Sequence, residues 1–172
     1  MTTNRYAPPS SEVADPAATQ LEYAGFWIRT GAALIDAVLI VAITYPILYA
    51  LYGADYFDDE KKGFIAGPAD FLLTYVAPAI ASIVFWLSKQ GTPGKLALSL
   101  RVVDARSGDT LSVGQSIGRY LAYFVSMIPL GLGIIWVGID ARKQGWHDKL
   151  AKTVVVRAKA STTRPVVFNR KG

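Results

Sequence analysis

The chain has 172 residues, 52% of them hydrophobic and only 18% charged, whereas an average soluble domain carries about 25% charged residues. It has no cysteine and a single histidine, His147, which excludes disulfides, thiolate metal sites and cysteine nucleophiles and leaves no ligand cluster for a metal or other cofactor. The net charge of +5 does not point to nucleic acid, because Lys and Arg concentrate after residue 88 in segments that flank apolar runs, the distribution of a cytoplasmic membrane face.

Residues 1–21 are rich in Pro, Ser, Thr and Ala, lack apolar periodicity, and read as a disordered tail. The first apolar run starts too late and is too long for a cleavable signal peptide. It covers residues 25–52, with Phe26 and Trp27 at one end and Tyr49 and Tyr52 at the other, as expected of aromatic side chains seated at two interfaces. Pro46 is the expected bend. The loop Gly53 to Pro68 carries four acids against two lysines and reads as non-cytoplasmic. A second run, residues 70–88, is long enough to span, and Pro78 in its middle frees a backbone carbonyl that must be satisfied inside a bundle. Ala77 and Ala81 form a small-xxx-small pair that lets another helix approach.

Residues 89–115 differ in kind. Turn residues are followed by LALSLRVVD, which predicts a short strand near Leu98 to Asp104, and then by the turn-like DARSGD. TVVVR, from Thr153 to Arg157, is a second β-prone run, and pairing of the two predicts a small sheet at the membrane surface. The third apolar run, residues 117–139, is interrupted by Pro129 to Gly133 and carries basic residues on both flanks. Both flanks are then cytoplasmic, which favours a re-entrant or hairpin-like pair of short helices over a plain third span. Residues 159–172 form a basic tail. The fold class read from these segments is an all-α integral membrane protein. It has two long transmembrane helices and a broken or re-entrant third helical region, with short β-strands on the cytoplasmic side.

Asp36 is the most informative residue. It lies nine positions after Trp27, about 13 Å along the axis and so near mid-bilayer, where a carboxylate costs about 2.5 kcal/mol or more. Arg29 is seven residues earlier, only about 20° away around the helix, and offers a counter-ion by reaching inward or through a water. The functional reading is a carboxylate that binds a proton or monovalent cation; the structural reading is a buried ion pair that only fixes helix packing. Arg119, at the head of the third run, offers another counter-charge to Asp36, although snorkelling to lipid phosphates is the favoured reading. Asp140 and the Trp146-His147-Asp148 cluster follow the last apolar piece. Adjacent side chains on regular elements point apart, which disfavours a His147–Asp148 dyad, and Asp148 reads as a cap on backbone amides before TVVVR. Gly91 to Lys95 lacks the spacing of a phosphate loop.

Three segments together, GFWIRTGAALID (25–36), KQGTPGKLALSLRVVD (89–104) and RKQGWHDKLAKTVVV (142–156), resemble the RDD family of bacterial membrane proteins. The resemblance covers about residues 22–158 and implies a bacterial inner-membrane protein; the apolar runs make it multi-pass, and the basic flanks place its N-terminus and basic tail in the cytoplasm. It implies that Arg29 is the family arginine and Asp36 the first aspartate, with Asp148, or else Asp140, as the second. Proposed roles in the family include exchange of monovalent cations for protons, and a small transporter or transport-associated protein is the leading expectation. The alternative is a non-transporting scaffold or accessory subunit that recruits a partner through its basic cytoplasmic face. No nucleophile or acid–base pair points to an enzyme. A transport path would need a homo-oligomer or a partner membrane protein, since so few helices enclose little volume.

Overall fold

The structure is a computed structural model that describes residues 21–58 and 64–158. The predicted tails lie outside these residues, except that Leu21 opens a strand. In chain order the elements are β1 (Leu21–Tyr23), α1 (Phe26–Tyr52), a single 3-10 turn (Ala54–Phe57), α2 (Pro68–Lys89), α3 (Pro93–Ala97), β2 (Arg101–Asp104), α4 (Val113–Met127), α5 (Leu132–Gly138), α6 (Trp146–Leu150) and β3 (Thr153–Ala158).

The two long helices α1 and α2 are long and apolar enough to cross a membrane. From Ala37 to Ile43 every position of α1 is exposed, so this stretch is apolar all round and suits hydrocarbon better than water. Pro78 takes a donor out of α2, and the helix answers with a wider turn just before it. Over Leu72–Val76 the bonding is of the i→i+5 type, and the Ala77 amide donates to the Leu72 carbonyl.

The sheet has the order β1-β3-β2 and is antiparallel throughout. Leu21 pairs with Ala158 and Tyr23 with Val156, while Arg101 pairs with Val156 and Asp104 with Thr153. The predicted β2–β3 pairing is present, with β2 starting three residues later than expected because Pro93–Ala97 forms α3 and Leu98 caps it. As the central strand, β3 is buried from Thr153 through Val156. Alternation sends Val102 and Val155 toward the helices, where they pack with Ala32 of α1 and Trp86 of α2. Val103, Val154 and Val156 form a second core on the other face.

The sheet also brings the two ends of the described residues together, Leu21 beside Ala158. β1 precedes α1, β2 follows α2, and β3 follows α5, so all three return to one end of the molecule. The intervening α4 and α5 are bent by 114° at a turn where Leu130 and Gly131 take left-handed backbone. A side chain at 133 would stand 2.7 Å from the Ser126 backbone, so Gly133 is what lets α5 fold back on α4. The break expected between Pro129 and Gly133 is present, as a bent pair of short helices.

Candidate functional site

The charges singled out in the sequence, Asp140 excepted, are gathered where α1, α3, α4 and α6 meet the sheet, in two clusters. The first centres on Asp148, fully buried in the first turn of α6. Its Oδ2 accepts from Arg29 Nη1 at 2.6 Å and from the Gly145 amide at 2.9 Å. Its Oδ1 accepts from Arg119 Nη1, which also donates to the Thr153 hydroxyl. Each nitrogen of Arg29 is engaged: Nε also donates to the Ala24 carbonyl at 3.0 Å and Nη2 to the Lys143 carbonyl at 2.7 Å. Lys143 is in left-handed backbone, so Arg29 pins that turn to α1. Arg119 is fully buried over the rings of Trp86 and Tyr123, at 5.3 and 5.7 Å. One carboxylate therefore ties α1, α4, α6 and β3 together.

Electrostatics follow from this packing. Burial alone would raise the Asp148 carboxyl, but Arg119 and Arg29 outweigh it and hold the group well below the usual carboxylate range. Burial pushes His147 down to about 3, reinforced by Arg119, Arg29 and Lys95 and opposed by Asp148. His147 is thus a neutral ring at physiological pH, stacked 3.9 Å from Tyr123 and with Nδ1 3.4 Å from the Ser126 hydroxyl.

The second cluster centres on Asp36. Its carboxylate accepts from the Thr92 hydroxyl at 2.5 Å and from the Gly94 amide at 2.7 Å. The GTPGK segment is therefore the seat of Asp36. Thr92 ends extended, Pro93 sits in the first turn of α3 where no amide is needed, and the open amide of Gly94 faces the carboxylate. A Cβ at 94 would stand 2.1 Å from the Ala32 carbonyl oxygen and 2.9 Å from the Asp36 carboxyl carbon, so the approach requires glycine.

Between the clusters lies a cavity of about 380 Å³. Arg29, Lys95, Arg119, Tyr123 and His147 give it a polar side, and Phe26, Ile134 and Ile135 are among its apolar walls.

Several sequence expectations are corrected here. Arg29 does not serve Asp36: helical spacing placed both on one stripe, but a partner 119 residues away in sequence captures the guanidinium. Asp36 is met instead by the Thr92 hydroxyl and the Gly94 amide, because α3 packs beside the first turns of α1. Arg119 does not snorkel to lipid; it is inside, against Asp148. His147 and Asp148 do not point apart: Asp148 bends back to cap Gly145, which brings Oδ2 to 3.6 Å from His147 Nε2. The expected capping role of Asp148 is present alongside its ion pairs. Asp140 lies apart from both clusters, accepting from the Arg142 and Gln144 amides at 3.1 Å each and pairing with Lys149 at 2.5 Å. Sequence reasoning passed over Lys95, Thr92 and Tyr123. A lysine within the glycine-proline turn was the available signal, set aside once the segment failed as a phosphate loop. Among the described residues no group of His, Cys, Asp and Glu could hold a metal ion.

The sequence model of the RDD family matches residues 23–152. An uncharacterized protein of Bacillus subtilis, YxaI, is 35% identical over 147 residues, covering 77% of this chain and 96% of the relative. The B. subtilis uncharacterized membrane protein YteJ is 27% identical over 146 residues, 80% of this chain and 82% of its own. A proline-rich antigen homolog of Mycobacterium tuberculosis is 35% identical over 72 residues, 40% of this chain and 30% of its own. No solved structure matches.

Proposed function

The chain belongs to the RDD family, and on that premise we propose that it is a multi-pass inner-membrane protein acting as a non-enzymatic, non-transporting scaffold or accessory subunit. In this reading α1 and α2 cross the bilayer, α4 and α5 re-enter it from the cytoplasmic side, and the sheet forms a cytoplasmic platform. The observation that carries the reading is the commitment of the family arginine and of both aspartates. Arg29 uses all three of its nitrogens, Asp148 is shared by two guanidinium groups and an amide, and Asp36 holds the turn that leads from α2 into the platform. An exchanger needs a carboxylate that changes protonation or ion occupancy during its cycle, whereas these carboxylates act as fasteners.

The platform's outer face supports recruitment. Arg106, Arg142, Lys149 and Lys152 line a groove of about 240 Å³ there, suited to an acidic partner segment. Self-association, or a partner membrane protein, would cover the apolar helix faces.

The test is proton movement in liposomes containing the purified protein, driven by an imposed sodium or potassium gradient. The scaffold reading expects no protein-dependent flux from wild type. Exchange by wild type that disappears in a folded Asp36→Asn variant would overturn it and restore cation–proton exchange.

A further inference from the structure

The cavity between the two clusters has a charge balance that fastening does not explain. Arg29, Lys95 and Arg119 line it, and the carboxylate facing them, Asp148, is already shared by the two arginines. Lys95 is 9% exposed, yet among the described residues its ammonium has one hydrogen-bond partner, the Thr92 hydroxyl at 3.3 Å, and no ion pair. A buried ammonium with two donors to spare is costly unless something anionic meets it. Arg119 is fully buried and its Nε has no partner. The opposite wall is hydrocarbon, and Ile135 and Leu132 at that end are about half exposed on the helix pair's outer surface, where lipid chains would lie.

We propose that this cavity binds an anionic amphiphile, its oxyanion head held by Lys95 and Arg119 and its hydrocarbon lying along Phe26, Ile134 and Ile135. The volume, about 380 Å³, is that of a small-ligand pocket and takes a head group with the start of one chain. Three cations select against a cationic or zwitterionic head, and the apolar wall selects against a bare ion. The inference is independent of the scaffold reading, since the site exists whether or not the chain moves ions.

The experiment is native mass spectrometry of the full chain, released from a neutral detergent and titrated with phosphatidylglycerol, phosphatidylcholine or inorganic phosphate. Wild type is compared with Lys95→Met, with Ala33→Trp to fill the cavity, and with Arg106→Gln as a control on the exposed basic face. The expected result is one phosphatidylglycerol retained per chain and phosphatidylcholine released. Affinity should fall roughly tenfold or more in Lys95→Met, the loss expected for one charge-assisted hydrogen bond, and fall also in Ala33→Trp, but not in Arg106→Gln. Phosphate retention that Lys95→Met abolishes would support the oxyanion position and assign it to a soluble ion. Equal retention of phosphatidylcholine would overturn the proposal, as would phosphatidylglycerol binding that ignores both cavity variants and falls in Arg106→Gln. If Lys95→Met does not fold, Ala33→Trp alone decides.

Discussion

Replacing Asp148 with asparagine probes the junction most severely. The amide keeps the shape of the carboxylate but has one acceptor oxygen and no charge, so Arg119, fully buried, and Arg29, nine-tenths buried at its side chain, lose their counter-ion together. Beyond the one amide oxygen, which can serve only one of them as each carboxylate oxygen now serves one, Arg119 would keep the hydroxyls of Thr153 and Tyr123 and Arg29 two backbone carbonyls. Removing one partner of a buried pair costs about 3–5 kcal/mol, and two cations on one carboxylate argue for the upper part of that range. Whole-domain stabilities are only about 5–15 kcal/mol, so Asp148→Asn should be near the edge of folding. The assay is denaturant titration in detergent micelles followed by tryptophan fluorescence, with Trp86 under Arg119 and Trp146 beside the site as reporters. A loss below about 1 kcal/mol, the scale of an exposed pair, would refute the idea that this junction holds the platform to α1.

Other outcomes follow from the same geometry. Unfolded histidine takes its proton near 6.5 while folded His147 resists until about 3, so below pH 6.5 the unfolded state binds more protons and stability falls as pH falls. The slope approaches about 1.4 kcal/mol per pH unit, and it should largely vanish in His147→Phe when denaturation midpoints are compared between pH 4.5 and 7.5. Asp148 adds to that loss as pH falls through its ordinary value of 3.8, from about pH 5 downward. Gly94→Ala places a methyl 2.1 Å from the Ala32 carbonyl oxygen and should cost about 1–3 kcal/mol by overpacking, read as a lower unfolding midpoint; an unchanged midpoint would contradict the close approach of α3 to α1. In this cysteine-free chain, cysteines at 106 and 150 should share one side of the membrane and a cysteine at 55 should label from the other, when treated with an impermeant thiol reagent. Labelling of 106 and 150 from opposite sides would contradict the re-entrant pair.

The elements of this fold were largely legible in the sequence because their signals are local. Continuous apolar runs bounded by aromatics marked α1 and α2, and β-branched runs between turns marked β2 and β3. The break at Pro129 to Gly133, together with basic flanks, marked the bent pair. β1 was not legible, since Leu21–Tyr23 is too short to show alternation and follows a proline-rich stretch. The site was legible in its members but not in its pairings. Helical periodicity relates Arg29 only to residues on its own helix, so it nominated Asp36, whereas the tertiary fold brings Asp148 from the far end of the domain. The partners of Asp36 were likewise hidden, because nothing local told that α3 would pack against the start of α1. Arg119 looked like a lipid-facing arginine until the bend of α4 and α5 enclosed it.

The most direct measurement is a pair of double-mutant cycles on unfolding free energy, combining Arg29→Met with Asp148→Asn and, separately, Arg29→Met with Asp36→Asn. Contacting residues couple by about 0.5–3 kcal/mol and independent ones add within about 0.5 kcal/mol. The structure requires strong coupling of Arg29 to Asp148 and near-additivity of Arg29 with Asp36. Coupling to Asp36 with additivity toward Asp148 would contradict it and return the pair to the first helix.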